Sequence, residues 1–292
     1  YWNHTPMLLV TPQAANKTMG QGGFQEVEQM NLFKDMVCYQ EEVRDPSRIA
    51  EVLNRVIEKA IRGSAPAQIN VPRDFWTQVV DIELPPIVRL ERQAGGAEAI
   101  DEASKLLSNA KFPVILSGAG VVIGGAIDDC VKLAEKLDSP VCSGYQHNDS
   151  FPGSHPLAVG PLGYNGSKAA MELISKADVV LALGTRLNPF STLPGYGIDY
   201  WPKNATIIQV DMNPDRIGLT KKVTVGICGD AKQVAQQILD KLSSDAGNTG
   251  RDERKNLIHK TKSAWLQTLA GLDHEEDDPG TVWNKEARER DK

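Results

Sequence analysis

The hydrophobic residues of the first eighty positions form short runs that alternate with helical patterns. Three runs have the length of buried strands: residues 7–11, 36–40 and 66–72. A helical stretch is predicted for residues 24–34. A second helix is predicted after Asp45, a natural N-cap followed by proline, and its apolar side chains keep helical spacing until Gly63 ends it. The order β-α-β-α-β predicts part of a parallel sheet.

Residues 81–96 interrupt this alternation. The adjacent prolines of "ELPPIV" prevent a helix and "QAGGAE" is flexible, so we interpret the stretch as a linker.

A second alternation of strands and helices starts near residue 97. Its predicted strands are residues 113–117, 140–142, 178–184, 206–211 and 223–228. Its predicted helices are residues 98–108, a segment from the glycine turn after 117 to 136, a segment starting at Ser167, and residues 230–242 with Asp230 as N-cap.

The segment after residue 242 is first small and polar and then helical again. One apolar stripe marks this helix: Leu257, Thr261, Trp265, Leu269 and Leu272. The predicted fold class is α/β, with two doubly wound parallel-sheet units. The predicted boundaries are a first domain at 1–82, a linker at 83–96, a Rossmann-like domain at 97–243, and a linker with a helix at 244–292.

Composition and charge narrow the classes of function. The 292 residues carry a net charge of −6 and contain no basic patch interleaved with aromatic residues, which argues against nucleic acid and membrane surfaces as partners. The cysteines are far apart in the sequence, so we expect buried, reduced thiols, which are typical of a cytoplasmic protein. They are Cys38, Cys130, Cys142 and Cys228.

Two glycine-rich segments raise the question of a nucleotide or phosphate site. In "GAGVVIG", which follows strand 113–117, the third glycine is one position late for a dinucleotide fingerprint, and the next strand does not end in an acid. We therefore expect a strand-to-helix crossing, and a relic nucleotide site stays open on the same geometry. "GYNGSK" at 163–168 is expected to start a helix capped by Asn165 or Ser167, and such a helix end can bind an anion.

Two further motifs are candidates for sites. His147, Asp149 and His155 share one loop, but their spacing is not that of a metal centre, so no metal site is expected. Asp211 ends a predicted strand, where an acid either contacts a ligand or caps the next turn; both readings stay open.

The order of motifs resembles that of the thiamine-diphosphate enzymes of the acetolactate synthase and pyruvate oxidase group. The motifs that carry the resemblance are "GQGGFQE" at 20–26, "GSAPAQINVPRDF" at 63–75, "FPGSHPLAVGPLGYNG" at 151–166, "LGTRL" at 183–187 and "IIQVDMNPDRIG" at 207–218. The resemblance extends from residue 1 to about residue 242. It implies part of a pyrimidine-binding domain, followed by a complete central domain.

Longer segments such as "LNPFSTLPGYGIDYWP" are similar to a branch of this family that transfers acetyl groups. This similarity implies that a small sulfonated aldehyde and phosphate are the substrates, and that sulfite and acetyl phosphate are the products. The implied cofactors are thiamine diphosphate and magnesium. FAD is not expected, because Tyr164-Asn165-Gly166 departs from the "M-H-G" of flavin-binding relatives. A homodimer or homotetramer is the implied assembly.

The resemblance assigns the candidate site to the glycine-rich stretch near residue 20. Gly22 and Gly23 would allow close approach of the backbone to the cofactor, and Phe24 and Gln25 would lie near its reactive end. Gln25 would donate a hydrogen bond to a substrate oxygen; a solvent-facing glutamine is the alternative. Glu26 and Glu28 are expected to be acids of a helix N-terminus, and neither is assigned to a metal.

Two parts of the family's machinery have no counterpart in the sequence. The activating glutamate is expected upstream of Tyr1, and the "GDG…N" motif that holds magnesium is expected in a further domain. We therefore expect a fragment that is inactive alone. The rival hypotheses are another thiamine-diphosphate enzyme such as an acetolactate synthase, a non-catalytic nucleotide-binding module, and an assembly domain.

Overall fold

A computed structural model describes residues 1–24, 26–88 and 90–272. The chain divides into two compact units, residues 1–90 and residues 91–292. Each unit is built on its own parallel sheet, as the α/β fold class predicts.

The first unit is a three-stranded parallel sheet covered by one long helix. Strands β1 (Met7–Gln13), β2 (Tyr39–Glu42) and β3 (Pro66–Pro72) lie in the order β1-β3-β2. Helix α2 (Ile49–Gly63) buries an apolar stripe against one face of this sheet. The predicted cap is present: the Asp45 side chain accepts a hydrogen bond from the Ser47 N–H, with proline at the first helical position.

Helix α2 ends at Gly63, as predicted. The left-handed residue that follows it is Ser64, with φ of 45°. A side chain at position 63 would be crowded, because an added Cβ would lie 3.1 Å from the Cys38 sulfur. Cys38 itself is exposed, so the expectation that it is buried was wrong.

The remaining cysteines are also free thiols. Cys130 and Cys142 are buried as expected, and burial raises the pKa of Cys130 to about 12. Cys228 is half-buried. No disulfide links the four.

Helix α1 is much shorter than the sequence predicts. It covers only Gln29–Phe33, whereas residues 24–34 were predicted to be helical. Residues 20–24 and 26–28 instead belong to an irregular loop, in which the Glu26 side chain accepts backbone hydrogen bonds.

The second unit is a six-stranded, fully parallel sheet. Its strands are β4 (Pro113–Ser117), β5 (Val141–Ser143), β6 (Ala158–Pro161), β7 (Val179–Leu183), β8 (Thr206–Asp211) and β9 (Val225–Cys228). They lie in the order β6-β5-β4-β7-β8-β9, the doubly wound arrangement. The chain reverses its direction across the sheet between β4 and β7, so the topological switch point lies there.

Helices cover both faces of this sheet. One face carries α3 (Ala97–Asn109), α5 (Ile127–Leu137) and α7 (Ala231–Lys241), which share one apolar core with it. The other face carries α6 (Lys168–Ile174) and α8 (Arg251–Leu272). Two predicted caps are confirmed: Asp230 accepts hydrogen bonds at the start of α7, and Ser167 does so at the start of α6.

Two elements of the second unit were missed. Strand β6 lies within a segment predicted to be a loop, since its residues Ala-Val-Gly-Pro lack a strand pattern and its pairing with β5 contains a register shift. The helix predicted to run to residue 136 is broken at Gly125, whose φ is 64°. The broken pieces are α4 (Ala119–Gly124) and α5.

Three glycines bring the two crossover turns at the switch point into contact: Gly118, Gly120 and Gly184. The Gly118 N–H donates to the Leu183 carbonyl at 3.1 Å, and the Gly120 N–H donates to the Gly184 carbonyl at 2.8 Å. A Cβ added at Gly120 would lie 2.7 Å from the Gly184 Cα, closer than real contacts allow. These glycines let the two crossover turns touch.

A buried arginine joins helix α8 to the rest of the unit. Arg254 is only 1% exposed, and its guanidinium donates all of its five N–H groups to backbone carbonyls. The acceptors are the carbonyls of Lys111, Leu137, Asp138, Gly247 and Thr249. Arg251 and Lys255 also pair with the Asp138 carboxylate. The first part of helix α8 is thus packed into this unit, with Ile258 in its core.

Replacing Arg254→Met should destabilise the protein by at least about 3 kcal/mol, because several buried carbonyls lose their donors. The matched control is Lys255→Met, which removes a half-exposed charge from a pair of 3.3 Å on the same helix turn. The control should cost less than about 1 kcal/mol. Chemical denaturation of both variants measures the difference, and equal losses would contradict the role given to Arg254.

Replacing Gly120→Ala should destabilise the protein by roughly 1–3 kcal/mol, because the added methyl group meets the Gly184 backbone. Gly271→Ala is the control, since its added Cβ meets nothing within 4 Å and the residue is at an exposed position of helix α8. The control should be neutral or stabilising by up to about 1 kcal/mol. Thermal unfolding of the two variants gives the sign of each effect. A neutral Gly120→Ala would mean that the turns are free to separate.

Candidate functional site

Three of the predicted site residues, Gly22, Gly23 and Phe24, lie in an irregular glycine loop between β1 and α1, described here by residues 20–24 and 26. Gly20 and Gly22 have φ of 82° and 69°, which favours glycine over other residues. A Cβ added at either position would meet no atom within 4 Å. These two glycines are therefore required by the backbone conformation, and the space beside them is open.

Glu26 closes this loop with its carboxylate. One oxygen accepts a hydrogen bond from the Gly20 N–H at 2.6 Å, and the other accepts from the Gly23 N–H at 3.1 Å. The expectation that Glu26 and Glu28 serve a helix N-terminus was wrong for Glu26, because helix α1 begins only at Gln29. Glu28 is at the N-cap position but makes no side-chain capping bond.

Glutamine side chains fasten the chain after the loop to the sheet. The Gln13 amide donates to the Val27 carbonyl at 3.3 Å, and the Gln40 amide donates to the Met30 carbonyl at 2.7 Å. Gln29 in turn donates to the carbonyl of a β1 residue, Pro12. The end of the glycine loop is thus positioned by β1 and β2.

A buried polar network supports these contacts. Gln40 donates to Gln68 at 2.6 Å, Gln68 donates to Thr11 at 2.9 Å, and Thr11 donates to Asn70 at 2.9 Å. Gln68 and Asn70 are fully buried. Their partners satisfy them, which makes the face opposite helix α2 a rigid polar surface.

The structure places the candidate residues as follows. Gly22 and Gly23 lie in the loop, and Phe24 is 83% exposed. Gln25, the catalytic candidate, lies outside the described residues. An aromatic ring this exposed has its face available to a ligand or to another subunit.

A cleft of about 560 Å³ lies beside the loop and was not predicted. Its lining includes Gln13, Met19, Glu28, Gln40, Glu42 and Arg44. This volume falls within the range of about 300–1,000 Å³ that suits small ligands. The sequence does carry a signal for it, because polar residues alternate along β2 and β3 and so share one sheet face.

The glycine turn at the switch point does not offer a phosphate site. The N–H groups of Gly118 and Gly120 already donate to backbone carbonyls, and α4 behind them has only six residues. The turn is therefore a strand-to-helix crossing, as predicted from the third glycine, which is one position late for a dinucleotide fingerprint.

Asp211 ends strand β8 and caps the next turn, since its carboxylate accepts from the Asn213 N–H at 2.8 Å. Burial raises the pKa of Asp211, while this N–H and the nearby Arg216 and Arg186 act in the opposite direction. Asp211 thus caps the turn, which is one of the two roles that the sequence left open. A contact with a ligand stays untested.

The remaining loop motifs give no metal centre. His147 faces Asp149 at 3.7 Å, whereas His155 faces Glu135 at 3.4 Å, so the loop does not gather them into one cluster. Within residues 1–24, 26–88 and 90–272, no group of three or more His, Cys, Asp or Glu side chains is arranged to hold a metal ion. In the same part of the chain, none of the helices combines the length and the apolar character that crossing a membrane requires.

Comparisons with known proteins place these features in a family. Residues 100–238 match the family model described as thiamine pyrophosphate enzyme, central domain. The chain is 78% identical over 291 residues to a probable sulfoacetaldehyde acetyltransferase of Rhizobium meliloti (strain 1021), covering 100% of this chain and 49% of that protein. It is 77% identical over 288 residues to a sulfoacetaldehyde acetyltransferase of Roseovarius nubinhibens, covering 99% and 48%. The chain thus spans about half the length of the curated relatives it matches.

More distant matches agree with the same family. A probable acetolactate synthase large subunit of Methanocaldococcus jannaschii is 32% identical over 280 residues, covering 93% of this chain and 45% of that protein. The crystal structure of benzoylformate decarboxylase from Polynucleobacter necessarius superposes with a TM-score of 0.74 at 22% identity, covering 86% of this chain and 47% of that one, and supports the fold. Residues 100–238 thus match the central domain of the thiamine pyrophosphate enzymes, and the chain as a whole is similar in sequence to members of that group.

Proposed function

We propose that the chain is part of a thiamine-diphosphate-dependent sulfoacetaldehyde acetyltransferase. The reaction converts sulfoacetaldehyde and phosphate into acetyl phosphate and sulfite, a step that belongs to taurine and sulfonate degradation. The observation that carries this assignment is the identity of 78% across the whole chain to a relative of that name. The alternative, an acetolactate synthase, is supported only by an identity of 32%.

The two units would have different tasks in this enzyme. Residues 1–82 would form part of the pyrimidine-binding domain, residues 83–96 the linker, and residues 97–243 the central domain. Residues 244–292 would lead towards a diphosphate-binding domain. The location would be the cytoplasm, and the assembly a homodimer or homotetramer.

The glycine loop suits a position beside thiamine diphosphate. Gly20 and Gly22 leave open space around a backbone that no larger side chain covers, and Phe24 presents an exposed ring. Thiamine diphosphate, when bound, supplies the nucleophilic carbon that a protein side chain lacks. Gly22 and Gly23 would let the backbone approach it, Phe24 would exclude water, and Gln25 would donate a hydrogen bond to a substrate oxygen.

The described residues offer no ligand cluster for magnesium. Its binding would fall to parts of the full-length protein that correspond to the other half of the relatives. FAD would not be required, because the transfer of an acetyl group to phosphate involves no net redox change.

The full-length protein, supplied with thiamine diphosphate, magnesium and phosphate, is expected to release sulfite from sulfoacetaldehyde and to form an equal amount of acetyl phosphate. A sulfite assay combined with detection of acetyl phosphate measures both products. Pyruvate, offered alone, should give no acetolactate. Formation of acetolactate without release of sulfite would instead favour the alternative. The 292-residue chain alone is expected to be inactive.

In the full-length enzyme, Gln25→Ala should lower turnover by roughly 10- to 100-fold, because a hydrogen bond to the reacting oxygen is lost. Circular dichroism should remain unchanged. Gln78→Ala is the control, since this exposed glutamine contacts only the Asp74 carbonyl of its own turn. Equal turnover in both variants would return Gln25 to a solvent-facing role.

A further inference from the structure

The glycine loop lies between two anchored points of the chain. Before it, the Asn16 N–H donates to the Asp74 carboxylate at 3.1 Å. After it, Val27 and Met30 are held to the sheet by Gln13 and Gln40. Between these anchors the described residues form one short 3₁₀ turn, Asn16–Thr18, and otherwise lack regular secondary structure, so the path of the glycine loop depends on individual hydrogen bonds.

Glu26 supplies the side-chain bonds that shape this path. The carboxylate uses one oxygen for each end of the turn, at Gly20 and at Gly23. Glu26 immediately precedes Val27, which Gln13 holds to the sheet. The sheet therefore positions Glu26, and Glu26 in turn positions Gly20 and Gly23.

We infer that Glu26 is a positioning residue, which holds Gly20 and Gly23 so that the loop presents Phe24 to the cofactor. This inference rests on the proposed function. A carboxylate is required for chemical reasons: both of its oxygens accept hydrogen bonds, whereas an amide has one acceptor and would turn its NH₂ group towards an N–H donor. Aspartate keeps the charge but is one methylene shorter, so it does not reach both donors.

The test combines Glu26→Gln and Glu26→Asp in the full-length enzyme with Asp35→Asn as control. Asp35 is an exposed carboxylate in the same unit, so the control removes the same charge without touching the loop. Hydrogen exchange of the Gly20 and Gly23 amides should become about tenfold faster in both Glu26 variants and unchanged in the control. With cofactor and substrates saturating, turnover should fall about tenfold or more, while the unfolding midpoint stays within about 2 °C because the loop is exposed.

The two measurements separate the possible failures. Unchanged exchange at Gly20 and Gly23, or wild-type exchange in Glu26→Asp, would overturn the bidentate clamp whatever the activity is. Faster exchange with unchanged turnover would overturn the positioning role, since the loop would then be shaped by Glu26 but irrelevant to the reaction. If the wild-type enzyme released no sulfite, the proposed function would fail, and the exchange data would still judge the clamp.

Discussion

Every polar group buried against the three-stranded sheet must find a hydrogen-bond partner, and this requirement fixes the candidate site. Thr11, Gln68 and Asn70 are buried on the face opposite helix α2. Each of these polar groups would cost roughly 1–3 kcal/mol of stability if it had no hydrogen-bond partner there. They satisfy one another and Gln40, and Gln40 in turn holds the backbone at Met30. A loop without secondary structure thereby acquires a defined position.

In the second unit, backbone contacts between glycines determine the structure at the switch point of the sheet. Open parallel sheets leave a crevice where the chain changes direction, and ligands often bind there. Here the two turns that flank the crevice meet through glycines, and their N–H groups are used inside the protein. The candidate site therefore lies in the loop of the first unit. The second unit matches the central domain of the thiamine pyrophosphate enzymes.

Features that depend on a few neighbouring residues could be predicted from the sequence. The caps at Asp45, Ser167 and Asp230 are local, and most strands of the second unit are continuous apolar runs, so both were predicted correctly. The short helix α1, the strand β6 and the role of Glu26 depend on contacts with distant segments or on loop geometry, which periodicity does not report. The family resemblance led to the loop itself, but Gln25 lies outside the described residues and its role stays a prediction.

The buried guanidinium of Arg254 has a consequence for how the second unit responds to solution conditions. Its charge is solvated by five carbonyl dipoles, two of them at the C-terminal end of helix α5, much as a bound cation would be. Burial lowers the pKa of Arg254, yet a guanidinium keeps its charge across the physiological range. Dissolved ions screen exposed pairs strongly and buried ones much less, so this tie resists ionic strength that would weaken the surface pairs around it.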